Sequence, residues 1–537
     1  MPMQSTTFPN RSPSPAWPGP ALYDALARRL LLWKFGVQGR VCAEASLEQA
    51  LTAAADDARF LGPAAGMGFW MWQQRPTSPD LLETFLSLER LTPFLPGHAR
   101  TALQGMLRLK TLLASLDAAW QTGWEAGDLS RCREVLRTRP LPPPLAGLAL
   151  RLQAQTLLYD DATAAMDLLA QLDRRQDAAP LFAGWIAVAR AFLLRQTGDH
   201  AAAAQALRPA WQAMPWHVNL ACSLHDLLFL PRACGATAQT LAMSRRTVIC
   251  LYTWNKARPL AQALDALARS DLGEARVLLL DNGSADATPA VLEDYARRAP
   301  HPVDILTLPV NIGAPAARNW LLAQPGVAAA QWVAFLDDDA IVPPHWLWAL
   351  LETAARHPQA GAVGCQIVGP HAPFPLQAAD FHLLPPALCP SGFVDLRERL
   401  HILDNGLGEP ALGLFDHERP AATVTGCCHL LTRPALDAGG GFDLTFSPSQ
   451  FDDAARDLRS ALAGFPAVCA GHLRVRHLQH SSLSQARTPF QEARIRANKA
   501  AMEGLFSDEE AGQLAAMDSA RTLEDLARKL NRLGEVE

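Results

Sequence analysis

Apolar residues recur at three- and four-residue spacing from residue 21 to about 240, as in ALYDALARRLLLWKF, SLEQALTAAADDARFL and LLETFLSLERL. That is the period of helices with one buried face. Pro63, Pro76, Pro79 and Pro96 punctuate the run. No alternating, β-branched segment of useful length interrupts it, so residues 21–240 are predicted to be all-α. The pattern changes at Arg245-Arg246. Short apolar runs follow: TVICLYTW, RVLLLD, VDILTLP, WVAFLDDDA and AGAVGCQIVG. Helical stretches alternate with them near 258–270, 288–298, from Pro315 onward and at 344–357. This β-α-β-α order predicts a largely parallel sheet covered by helices on both faces. Ligands of such sheets bind at the carboxyl ends of the strands. Thr253, Asp281-Asn282 and Asp337 to Asp339 fall there. From 486 to 537 the pattern is helical again, with a capping-box signal at Ser507 and Glu510. These helices are expected to pack on the α/β half or to cover a cleft in it.

The helical half contains a weak repeat. Gly127-Asp128, Asp160-Asp161 and Gly198-Asp199 each mark a helix–helix turn, followed by a small residue at Cys132, Ala165 and Ala203. The segment 110–220 resembles tetratricopeptide repeats, most clearly in WIAVARAFLLRQTGDHAAAAQALRPAWQAMP. Ala191, Ala203 and Ala210 would let the paired helices approach, and Pro215 would end the second one. A generic helical bundle is the alternative.

Composition narrows the classes. A chain of 537 residues calls for several domains. The net charge of −5 argues against a nucleic-acid binder, which usually carries a strongly basic face. Only five of the 48 basic residues are lysine. The ten cysteines follow no disulfide or CxxC pattern, which suggests a reducing cytoplasm. No apolar run is long enough to span a bilayer. Residues 1–20 are rich in proline and are expected to be disordered. The expected location is cytoplasmic, with peripheral attachment to the inner membrane as a variant.

The chemistry lies in the α/β half. Asp337-Asp338-Asp339 closes a buried strand, and alternation turns Asp337 and Asp339 to the same side. Converging carboxylates need a cation, and hard oxygen ligands suit Mg2+ or Mn2+ shared with phosphates. Asp281-Asn282-Gly283-Ser284-x-Asp286 ends the second strand, and Asn311-x-Gly313-x-x-x-Ala317-Arg318-Asn319 precedes the triplet. In this order and spacing the motifs resemble family 2 glycosyltransferases of the Rossmann-like GT-A fold, over roughly 245–485. The resemblance implies an inverting transfer of a sugar from a nucleotide-diphosphate donor, a UDP-sugar foremost, to an acceptor hydroxyl.

It also implies roles for single residues. Asp281 and Asn282 would meet the base, and Thr253 and Arg258 would lie along the nucleotide. Arg318 would contact the diphosphate, with Asp338 also on the donor side. Lys256 reads as solvated. Asp337, Asp339 and His477 would hold Mn2+ or Mg2+, with His480 and His472 as competitors for the histidine. In Phe451-Asp452-Asp453-Ala454-Ala455-Arg456-Asp457-Leu458-Arg459, anchoring on Arg459 and Gly464-Phe465 places Asp453 as general base and Asp452 beside it. Ala455 and Arg456 depart from the family pattern, which leaves Asp457 as a rival. Strand alternation argues against a metal role for Cys427, Cys428 and His429.

The acceptor is expected to be a protein bound by the helical half, for instance a bacterial surface protein, or a glycan such as a surface polysaccharide or a lipid-linked sugar. An interaction scaffold with a decayed transferase domain is the competing class. A sugar nucleotidyltransferase would want a glycine-rich loop after the first strand, and YTWNKARP has no glycine.

Overall fold

The computed structural model describes residues 20–230, 235–384, 399–478 and 488–536. The expected disorder of residues 1–20 therefore lies outside the described residues, except for Pro20, which opens a helix. His480 lies outside them too. Among the described residues, thirteen α-helices run from Pro20 to Ser244 without an intervening strand.

The repeat turns have a common local cause. The carboxylates of Asp128, Asp161 and Asp199 each accept a backbone N–H three residues on, at 2.9 Å. Each caps the second helix of a pair and satisfies an otherwise unpaired donor. The pairs are Lys110–Glu125 with Leu129–Thr138, Ala146–Leu157 with Ala162–Arg174, and Ala179–Gln196 with His200–Ala213. Cys132, Ala165 and Ala203 are fully buried where the helices meet.

Among the described residues, twelve strands follow: β1 (Thr247–Thr253), β2 (Arg276–Asp281), β3 (Val303–Thr307), β4 (Trp332–Leu336), β5 (Ala340–Ile341), β6 (Ala362–Val368), β7 (Leu376–Ala378), β8 (Phe381–Leu384), β9 (His401–Asp404), β10 (Glu418–Ala421), β11 (Cys428–Thr432) and β12 (Ala467–His477). The main sheet runs β10-β12-β6-β11-β4-β1-β2-β3. Alternation along β1 divides two cores. Ile249 and Leu251 face the helices Ala257–Ala268, Thr288–Arg298 and Trp346–Arg356. Val248 and Cys250 face the helices Ala314–Leu322 and Arg433–Gly439. The helix-covered α/β sheet is that of the GT-A fold, beside a helical half.

The sheet is mixed where a largely parallel one was expected. β3, β2, β1 and β4 are parallel. β11 enters antiparallel between β4 and β6, and β10 is antiparallel to β12. Between β6 and β11 the described residues form only short strands and loops. β10 and β11 thus both start toward the carboxyl end of β6 and run back to its amino end.

The last helix, Asp508–Glu535, starts in the expected capping box. It packs on both halves and not on the α/β half alone. Leu526, Leu530 and Leu533 join the helical core, while Asp518 accepts the Leu383 N–H of β8 at 2.9 Å. Arg419 of β10 also donates to the carbonyls of Phe35 (2.9 Å) and Lys34 (2.6 Å). Among the described residues, no helix is long and apolar enough to cross a membrane.

Candidate active site

A cavity of about 950 Å³ opens at the carboxyl edge of the sheet, lined by Asn282, Lys256, Arg318, the acidic triplet, Asp452-Asp453 and His477. β4 delivers the triplet, and each carboxylate meets different partners. Asp338 accepts from Thr253 Oγ1 at 2.7 Å and from Lys256 Nζ at 3.0 Å. Asp339 lies 3.1 Å from Lys256 Nζ and 2.9 Å from His477 Nε2. Asp337 is 3.6 Å from Arg318 and 4.0 Å from His477. Burial works against the Asp339 charge, yet the hydrogen bond and charge of His477, joined by Lys256, hold its carboxyl well below the usual range. Burial pushes Asp338 up to about 6 against the pull of Lys256.

Gln450 and Phe451 take left-handed φ values of 92° and 66°, a region unfavourable for such side chains. This turn aims the first residues of the Asp452–Leu462 helix at the cavity. Asp452 accepts from Arg318 Nη1 at 2.5 Å. Asp453 accepts the N–H groups of Gly426 (2.7 Å) and Ala454 (2.8 Å). Burial first, then the neighbouring Asp452 charge, push the Asp453 carboxyl up to about 6. Asp457 points elsewhere, accepting from Arg456, Thr423 and the Val424 N–H. Arg459 donates to the carbonyls of Gly439 and Gly441, and Asn319 clamps Phe442 by its N–H and C=O.

Residues 248–435 match the family model described as Glycosyl transferase family 2. An N-acetylglucosaminyl-diphospho-decaprenol L-rhamnosyltransferase of Mycobacterium tuberculosis is 29% identical over 265 residues, 45% of this chain and 78% of the relative. The O-antigen biosynthesis protein RfbC of Myxococcus xanthus is 30% identical over 234 residues, 42% of this chain and 16% of the relative. The α/β half is a glycosyltransferase domain. Among solved structures, GalNAc-T7 with UDP, GalNAc and Mn2+ aligns at 12% identity and TM-score 0.39, covering 49% of each chain.

The glycosyltransferase domain does not bring every expected residue to its cavity. Arg258 is exposed on its helix and does not line the wall. Asp281 is buried behind it, accepting the Ser284 N–H at 3.0 Å. Thr253 is fully buried and acts on Asp338. Asn282 does reach the wall, and its amide ties Asn311 (2.9 Å) and the Ile312 N–H (3.0 Å) into the turn. Gly283, at φ 79°, lies so close to Val310 that a Cβ would meet its backbone at 2.6 Å.

Two residues were missed. Lys256, expected to be solvated, is the ammonium partner of Asp338 and Asp339. Its rarity was the available signal, since lysine is so uncommon in this arginine-rich chain. Cys427 also stands at the site, one residue before β11, where strand alternation does not apply. Asp337, Cys427 and His477 hold ligand atoms within 4.8 Å of one another. A carboxylate, a thiol and an imidazole converging on one point fit a divalent cation. His429, by contrast, is buried against Phe335 and Phe442.

Proposed function

We propose that this domain transfers a sugar, with inversion, from a nucleotide-diphosphate donor to a glycan hydroxyl, with Asp453 as general base. One observation carries the reading. Asp453 and the Asp337–His477 pair open on the same cavity, with Arg318 between Asp452 and Asp337. Asp453 takes the proton of the acceptor hydroxyl as its oxygen attacks the anomeric carbon. The bond from that carbon to the diphosphate oxygen breaks on the opposite face, so configuration inverts. Arg318 holds Asp452 and faces the departing charge beside Lys256. A divalent cation held by Asp337 and His477 would supply further charge neutralisation for the diphosphate. Asp339 joins that set through His477. Asn282 reaches the wall on the nucleotide side and Asp281 shapes the turn behind it.

The names of the relatives, a rhamnosyltransferase acting on a lipid-diphosphate sugar and an O-antigen biosynthesis protein, favour a lipid-linked or surface glycan as acceptor. A polypeptide acceptor has no comparable support. The helical half, with its three capped helix pairs, is read as tetratricopeptide-like, and a cytoplasmic position at the membrane surface suits a lipid-linked acceptor. The test is release of nucleotide diphosphate from a panel of UDP-, GDP- and dTDP-sugars with Mn2+ or Mg2+, with and without lipid-diphosphate sugars. A donor that is turned over by wild-type protein and not by Asp453→Asn supports the reading. A panel with no turnover overturns it.

A further inference from the structure

We propose that Asp337, Cys427 and His477 form a site for a thiophilic divalent ion, Zn2+ or Co2+ in preference to Mn2+ or Mg2+, with the Cys427 sulfur as a ligand. The role of the ion rests on the glycosyl-transfer reading; its binding does not.

Three strand ends deliver the donors. β11 lies antiparallel to β4 with Cys428 opposite Leu336, so Cys427 stands opposite Asp337. The Asp337 N–H donates to the Cys427 carbonyl at 2.8 Å. β12 pairs with β5 directly after the triplet, placing His477 opposite Ala340. The result is a thiol, a carboxylate and an imidazole within 4.8 Å. Bond lengths near 2.0–2.3 Å put the donors of a tetrahedral Zn2+ about 3.5 Å apart. Closing from 4.8 Å or less is a rotamer adjustment of about 1 Å.

The surroundings agree. Cys427 is 4% exposed, yet it lines the cavity, so an ion there would keep an open position for a phosphate oxygen. Gln377 Oε1 lies 2.9 Å from His477 Nδ1. Such a contact fixes the ring with Nε2 toward the carboxylates, 2.9 Å from Asp339 and 4.0 Å from Asp337. Asp339 meets Lys256 through Oδ2 at 3.1 Å and turns Oδ1 to His477 Nε2 at 2.9 Å, and Cys427 adds a sulfur donor to this group. A thiolate shifts selectivity away from Mg2+ and Mn2+. On binding, the Cys427 S–H bond breaks, the S–metal bond forms and one proton passes to solvent; no electrons are transferred.

The test is Co2+ titration of the full chain after chelator treatment. Wild-type protein is expected to show a near-ultraviolet thiolate-to-cobalt charge-transfer band, bleached by Zn2+ at concentrations on the order of a hundredfold below those of Mn2+. Cys427→Ser should lose the band, and Cys428→Ser, whose fold carries the same loss of sulfur one residue away, should keep it. Thermal melts confirm that both variants fold. A wild-type protein without the band, or a band that survives in Cys427→Ser, overturns the site. Nucleotide release by wild-type protein is read separately. Release without a thiolate band leaves glycosyl transfer standing and removes this site, and a band without release from any donor does the reverse.

Discussion

Arg318 and Asp452 form a buried ion pair, Nη1 to Oδ2 2.5 Å, with side chains only 6% and 3% exposed. The same guanidinium reaches Asp337 at 3.6 Å and lies over the Tyr252 and Phe442 rings. It therefore joins the two acidic clusters at the cavity. Removing it leaves buried carboxylates without a counter-charge. Arg318→Gln should destabilise the protein by about 3–5 kcal/mol, the usual cost of breaking a buried pair from one side. Urea denaturation measures this. A loss below about 1 kcal/mol would show that water reaches the pair.

The Asp453 carboxyl, pushed up to about 6, sets a pH dependence. A general base works only when ionised, so kcat should fall as pH drops through about 6 and level off above it. The Arg318 charge holds that pKa down, so in Arg318→Gln the acid limb should move to higher pH. Asp453→Asn should lower kcat by roughly 10²–10⁴ and abolish the limb. A pH–rate profile of all three proteins checks this. An unchanged limb in Asp453→Asn would transfer the role to another group.

These two predictions rest on features of unequal visibility in the sequence. Strands β1 to β4, the helices between them and the triplet were legible, because burial on one face leaves a period and a strand end leaves a polar cluster. The place of Asp453 in the cavity wall was legible through the Arg459 anchor, and Arg459 holds the Gly439–Gly441 turn. The antiparallel entry of β11 was not, since strand direction depends on the path of the chain between β6 and β11 and on which strands pair there. Cys427 was hidden for the same reason: its neighbour Asp337 is 90 residues away in the chain, and only the β4–β11 register joins them. Arg258 and Lys256 were exchanged because two basic residues two positions apart, at a helix start, face different ways. The sequence names both and does not orient them.

Lys256 yields a prediction with opposite signs for two ligands. Its ammonium is within 3.1 Å of Asp338 and Asp339. Burial opposes its charge, but the two carboxylates raise its pKa above the usual lysine value, so it is a fixed cation in the cavity wall. A fixed cation repels a divalent ion and attracts a diphosphate. Lys256→Met should tighten binding of Mn2+ or Zn2+ and weaken binding of a nucleoside diphosphate, each by on the order of tenfold. Calorimetry with metal alone and nucleotide alone separates the two. A shift of both in the same direction would mean the substitution has rearranged the wall.

Lys529 tests how the halves are held together. It is 1% exposed, 2.9 Å from Asp525 and 3.9 Å from Asp226, and its ammonium donates to the Glu418 carbonyl. Asp226 in turn accepts the Glu418 N–H at 2.6 Å. One lysine thus links the last helix, the helix Val218–Phe229 and strand β10. Burial disfavours the Asp226 charge, and the Lys529 ammonium, the His225 ring and the Glu418 N–H together outweigh it, holding the carboxyl well below its ordinary value. A lowered pKa contributes stability above the unfolded-state value and loses it as pH falls toward the folded-state value. Lys529→Met takes away the cation, so the Asp226 pKa rises and that contribution shrinks. The variant should lose about 3–5 kcal/mol at neutral pH and begin acid unfolding at higher pH than wild type. Circular dichroism melts across the acid range measure both. Equal acid midpoints in the two proteins would show that Asp226 finds another counter-charge, and His225, whose Nδ1 lies 2.7 Å from Asp226 Oδ1, is the residue in reach to supply it.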